Sequence, residues 1–154
     1  MGRTPLPTAY HVWMGTVPRV DCFLIADSAQ VADGKLYVLG GGWERLTVQQ
    51  LPATRAVEIA TRIIVAWTET NRPLKFELQL VTEDGEALLS PAATPSVTVG
   101  RPVHLREGSD QAIPLVLKVN GVSLKQAGRY AFTLSYDGEE VARTAFEVVV
   151  GKRR

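Results

Sequence analysis

The sequence predicts an all-β domain in which two antiparallel layers pack face to face. Three observations carry this expectation. Apolar residues recur with a period of two along most of the chain, glycine-containing turn dipeptides interrupt them at short intervals, and no stretch shows a long amphipathic helical face.

Pro5, Pro7 and Pro18 interrupt the first residues, which follow no sustained period, so residues 1–19 are expected to form an irregular arm. Met14 stands within it as an alternative start. About eight strands are expected after it, near 21–29, 35–45, 56–68, 74–82, 96–105, 112–119, 129–136 and 140–150. Ile59, Ile63, Val65 and Trp67 share one parity and Glu58 and Arg62 the other, which places Trp67 on the core side. Phe76, Leu78 and Leu80 oppose Lys75, Glu77 and Gln79 in the same way. The pattern returns in Ile113, Leu115, Leu117 and Val119, in Tyr130, Phe132, Leu134 and Tyr136, and in Phe146, Val148 and Val150. Four dipeptides suit the positive φ angles of hairpin turns: Asp33-Gly34, Asp84-Gly85, Asn120-Gly121 and Asp137-Gly138. Residues 20–150 thus form one domain, and 151–154, "GKRR", a short basic tail.

The stretch "LKQAGRY", Leu124 to Tyr130, sets a tyrosine two residues after a glycine at the start of a strand. This resembles the tyrosine corner of immunoglobulin-like sandwiches, whose phenol bonds back to upstream backbone. An immunoglobulin-like β-sandwich is therefore preferred to a barrel. Trp43 and Trp67 are the tryptophan candidates for its core.

Composition narrows the function classes. The 154 residues carry 17 Lys and Arg against 16 Asp and Glu, a net charge of +1 that gives no long-range pull toward nucleic acid or an anionic membrane. Ile63 to Trp67 is the longest apolar run, far short of the roughly 20 residues that cross a bilayer. The first residues lack the apolar block of a secretory signal, and Leu6 stands where a myristoylation site requires Ser or Thr. With the single Cys22 excluding an internal disulfide framework, a cytoplasmic protein is expected.

Reactive constellations are sparse. Cys22 sits in the apolar run "CFLIA", and only His11 and His104 are available as bases, so no Cys/His or Ser/His pair is indicated. One cysteine and two distant histidines cannot build a structural zinc site. "EDGE", Glu83 to Glu86, and "DGEE", Asp137 to Glu140, lack the staggered ligand spacing of a calcium loop and suit solvated hairpin tips. No pair of carboxylates is marked out for glycoside cleavage, and sugar stacking would need exposed faces on Trp13, Trp43 or Trp67.

Gly40, Gly41 and Gly42 invite comparison with a phosphate loop, but "WERLTVQQL" opens no helix and no Gly-Lys-Ser/Thr follows. The glycines instead predict a bulge, a sharp bend or close approach of another backbone or an aromatic ring, with Trp43 packing over the gap. Asp27, flanked by Ala26 and Ser28 at the end of an apolar run, would need a hydrogen-bond donor if buried.

"DCFLIADSAQVADGKLYVLGGGWERL", Asp21 to Leu46, together with "VAWTETNRPLKFELQLVTEDGE", resembles a family of uncharacterised bacterial proteins, a domain of unknown function. The resemblance spans about residues 17–150, with "AD", "DGKL" and "GGGW" its most specific pieces. It implies a fold and transfers no catalytic residue.

The expectation is a non-enzymatic binding or assembly module, with no cofactor, metal, nucleic acid or membrane. Its partner is another protein or a second copy. Ile64, Ala66, Val116 and Val141, apolar residues on the outward parity, are the candidate interface. The alternative is a small-ligand binder or enzyme whose site is built from loops near Asp27, Gly40–Gly42 and Glu69 to Arg72.

Overall fold

The computed structural model describes residues 16–152, so the arm expected over 1–19 lies almost wholly outside the described residues, as do Trp13, His11 and the last two residues of the tail. Nine strands follow in order: β1 (Arg19–Ala32), β2 (Lys35–Gly41), β3 (Arg45–Val48), β4 (Ala53–Val65), β5 (Pro73–Thr82), β6 (Ser96–Thr98), β7 (Gln111–Leu124), β8 (Gly128–Tyr136) and β9 (Glu139–Val150). The one helical element among the described residues is a 3₁₀ turn, Trp67–Glu69. The domain is all-β, as expected, with nine strands where about eight were anticipated.

The strands form two sheets, one ordered β2-β1-β4-β7 and the other β3-β9-β8-β5-β6. Every pairing is antiparallel except β3 with β9, which run parallel. Alternation puts one row of each strand except β2 between the layers. Ile25, Ile59, Ile63 and Leu124 from the first sheet meet Leu78, Leu80, Phe132, Leu134 and Val148 from the second, all buried. Tyr130 and Phe132 both stack on Phe146, with ring centroids 5.7 and 5.9 Å apart. The Tyr130 phenol donates to the carbonyl of Gln126 at 2.6 Å, the bond expected of a tyrosine corner.

Four expectations are corrected. The run read as one strand over 35–45 is two strands in different sheets, because the chain leaves the first sheet after Gly41 and enters the second at Arg45. The strand expected over 96–105 ends at Thr98, and the stretch from Gly100 to Asp110 is turns and irregular chain. Asn120-Gly121 is no hairpin turn. Arg55 pairs with Val122 and Val57 with Val119, so Asn120 and Gly121 together face Ala56, and the positive φ of Gly121, 71°, serves a bulge inside β7. Trp67 leaves the strand at the 3₁₀ turn and is half-buried, with the Arg101 guanidinium 4.3 Å from its ring centroid.

Both true two-residue hairpins have positive φ at each central residue, 51° and 69° at Asp33-Gly34 and 49° and 79° at Asp137-Gly138. These are the angles that match the twist of the flanking strands.

Candidate functional site

The three consecutive glycines are the crossing point between the layers. Gly40 and Gly42 have φ of 61° and 76°, a left-handed backbone that turns the chain out of β2, and the Gly42 N–H donates to the Ile25 carbonyl at 2.8 Å as it leaves. A Cβ at Gly40 would overlap the Asp27 carboxylate, and one at Gly41 would overlap Val38. The close approach is made by an acidic and an aliphatic side chain, where another backbone or the Trp43 ring was expected. Asp27 itself is exposed, so its polar end reaches water.

A groove of about 670 Å³ opens beside this crossing, lined by Gly42 to Arg45 on one side and by Arg129 and the β9 residues Arg143 to Glu147 on the other. It exists because β3 is short: β3 covers β9 only from Glu147 to Val150 and leaves the edge before it open. Glu147 lies in register with Arg45 on β3 and with Arg129 on β8, and Arg45 reaches it at 3.3 Å. Arg143 is held by Glu140 at 2.7 Å, and the hydrogen bonds from that guanidinium keep the Glu140 carboxyl below the usual range. Trp43 packs edge-on against Phe146 at 5.6 Å, and its buried Nε1 has no acceptor among the described residues. The groove is thus polar and rich in arginine, while the Trp43 Nε1 is closed to solvent.

The loop Glu69 to Arg72 forms a different structure. Glu69 is buried beyond the end of β4, its Oε1 accepting from the Thr16 backbone N–H at 3.2 Å and its Oε2 facing the Arg72 guanidinium. Arg72 also donates to the Tyr136 hydroxyl at 3.4 Å, while Arg101 donates to the Trp67 carbonyl at 3.0 Å and to Thr70 Oγ1. These bonds tie the chain leading into β1 to the 3₁₀ turn and to β8. The loop's charges are turned inward on one another, and its position beyond β4 separates it from the Gly40–Gly42 crossing.

The four candidate interface residues do not form one patch. Ile64 and Val116 are half-buried on the outer face of the first sheet, where Ile64 pairs with Arg19 and Ala112. Val116 pairs with Ala60 and packs against a small apolar cluster of Ala26, Ala29 and Ala60. Ala66, also half-buried, lies just past the end of β4, and Val141 packs against the main core from β9.

Val103, in the loop after β6, is the most exposed large apolar residue, but the exposed apolar side chains cluster on β2. Leu39 is 73% exposed, Tyr37 54% and Val38 40%, and Val31 beside them on β1 is 40% exposed. Sequence reasoning passed over these residues because "LYVL" is a continuous apolar run, which ordinarily marks a strand covered on both faces. The signal that identifies them is position: β2 is the last strand of its sheet.

Other reactive groups remain apart. Cys22 lies half-buried in β1, where desolvation pushes its thiol pKa up and Sγ donates weakly to the Ala60 carbonyl. His104 is exposed in the loop after β6. Among the described residues no group of three His, Cys, Asp or Glu side chains gathers to hold a metal, and no helix is long and apolar enough to cross a membrane.

Comparison with known proteins places this geometry in a family. A model described as "Family of unknown function (DUF6941)" matches residues 21–149, from β1 to the last residues of β9. The chain belongs to this family. No curated protein matches it. A solved structure of the Pseudomonas fluorescens alkylpurine DNA glycosylase AlkC, bound to DNA containing an abasic site analog, is similar at 11% identity and a TM-score of 0.39. The match covers 88% of this chain and 31% of the glycosylase. A likeness that low carries no inference about chemistry, and the family description assigns none.

Proposed function

We propose that this member of the family is a non-enzymatic interaction module that engages a protein through the open edge of β2. The observation that supports it is a terminal strand, β2, on which Tyr37 and Leu39 are exposed on one face and Val38 on the other. Exposed apolar clusters on an unpaired edge are an unfavourable surface for a protein that works alone and a favourable one for strand pairing. The module is taken to work in a bacterial cytoplasm, in keeping with its one unpaired cysteine, and its two-layer fold to be immunoglobulin-like on the strength of the Tyr130 corner. The test is capture of one stoichiometric partner by the wild type, with loss of that partner in Leu39→Lys. Turnover of a substrate abolished by one substitution in the groove beside Gly42 would overturn it.

A second reading is favoured by the arginines: a small anionic ligand in the groove, with Arg129 as donor and the Trp43 ring in the groove wall as reporter. Titration with inorganic phosphate and with acetate, followed by tryptophan fluorescence, checks it. A saturable change in the wild type that Arg129→Ala removes supports the reading, and a featureless titration ends it.

A further inference from the structure

We infer that the partner at β2 is a second copy of this chain, joined strand to strand about a two-fold axis through Val38. The inference rests on the reading of β2 as the interaction edge and names its occupant.

Four strand edges terminate the two sheets, and three of them are guarded. β6 has three residues and β3 four, lengths that offer little backbone to a visitor. β7 is long, but Pro114 removes a donor, Lys118 adds a charge, and the Asn120–Gly121 bulge breaks its run. β2 has seven residues, and after Lys35 no charge or proline occurs from Leu36 through Trp43.

The turn fixes which backbone groups are free. In a two-residue hairpin Ala32 and Lys35 exchange both hydrogen bonds, so Lys35, Tyr37 and Leu39 turn their backbone groups toward β1. Leu36, Val38 and Gly40 present theirs at the open edge. An antiparallel copy centred on Val38 sets Val38 against Val38 and Leu36 against the partner's Gly40, so the free groups meet free groups.

Side chains are self-complementary in the same register. Tyr37 falls opposite the partner's Leu39, and Leu39 opposite the partner's Tyr37, so the two most exposed side chains of β2 form two aromatic–aliphatic pairs on one face. The only charge on the strand, Lys35, falls opposite the partner's Gly41 and meets no like charge. The two four-stranded sheets become one of eight strands, and a two-fold contact closes on itself without building a fibre. One strand pair with its flanking side chains lies at the small end of the roughly 1,200–2,000 Å² of stable interfaces. The expected dimer is accordingly weak and reversible, with a Kd on the order of micromolar.

Sedimentation of the full chain from about 1 to 500 μM tests this, a range that brackets such a Kd. The expected result is a concentration-dependent monomer–dimer equilibrium. Val38→Pro deletes a donor that faces solvent in the monomer, and Leu39→Lys sets charge beside the two-fold, so each should remain monomeric over the whole range. In a Cys22→Ala background, Val38→Cys should oxidise to a covalent dimer, since paired Cα atoms about 5.5 Å apart lie within disulfide reach. A wild type that stays monomeric at every concentration overturns the inference, as does a dimer that both Val38→Pro and Leu39→Lys leave intact. If the wild type is monomeric but binds a different protein that Leu39→Lys releases, the second copy falls and the β2 reading survives. If neither copy nor other protein uses β2, both fall.

Discussion

The two ends of the four-stranded sheet differ in how they meet water. Ion pairs tie the start of β1 to β4 and β7: Arg62 on β4 binds Asp21 on β1 through two nitrogens, Lys118 on β7 approaches Glu58 on β4 at 3.7 Å, and Arg19 on β1 approaches Asp110, just before β7, at 3.2 Å. The β1–β2 hairpin carries Val31, Tyr37, Val38 and Leu39 into solvent with no ion pair among them. Both edges are antiparallel strands of one sheet, so the type of pairing does not decide which edge is inert. Local features decide it. Proline, charge and a bulge close β7 to further pairing, and β2 lacks all three along its central residues.

The largest test of this contrast is a matched pair of truncations. Leu124→Ala in β7 removes a fully buried side chain and should cost about 2–5 kcal/mol, whereas Leu39→Ala in β2 should change monomer stability by no more than about 0.5 kcal/mol. Denaturant unfolding at low protein concentration compares them, and equal losses would show that β2 is packed rather than open.

Next come two of the left-handed glycines, Gly40 and Gly121. Gly40→Ala combines unfavourable φ with overlap on Asp27 and should cost about 1–3 kcal/mol. Gly121→Ala meets nothing within 4 Å and should cost only the backbone term, about 1 kcal/mol. Adding Asp27→Gly should recover part of the first loss and none of the second, a difference readable in thermal melts.

Glu58 connects the two halves, since its Oε2 accepts the Ala29 N–H at 2.6 Å while Lys118 flanks its other oxygen. Glu58→Ala should cost about 1 kcal/mol and speed hydrogen exchange at Ala29, the bond nearest the hairpin. Unchanged exchange there would separate the hairpin from the ion-paired strands.

The smallest effect is acid sensitivity. Hydrogen bonds from Arg62 hold the Asp21 carboxyl below its ordinary value, so the folded state favours the ionised form. Its contribution is present above the unfolded value near pH 4 and is lost as pH falls through the lower folded value. Asp21→Asn should flatten that part of the stability–pH curve, and both residues are solvent-exposed, so the change should be small. Leu39→Ala should leave the curve unaltered.

Local patterns carried much of this architecture in the sequence. The alternation of Phe76 to Leu80 and Tyr130 to Tyr136 was legible because both strands bury one row against the opposite sheet. Asp33-Gly34 and Asp137-Gly138 were legible because a tight hairpin is decided by its own two residues. Asn120-Gly121 misled because a bulge asks for the same positive φ as a turn, and only the partner strand distinguishes them. The split of 35–45 was hidden because apolar residues continue through Trp43 and Leu46 while the chain changes sheets. For the site, the glycines marked the crossing, but the groove depends on how little of β9 is covered by β3, and the open edge of β2 depends on strand order. Neither quantity is local.

The parallel pairing of β3 with β9 also sets an order of events. Arg45 and its partner Glu147 are separated by 102 positions, so during synthesis β3 leaves the ribosome long before the strand it must join has been made. The β1–β2 hairpin can form early from neighbouring residues, whereas the nascent segment beyond Gly42 waits unpaired. Closure of the second layer therefore waits until β9 has been made and can seat β3.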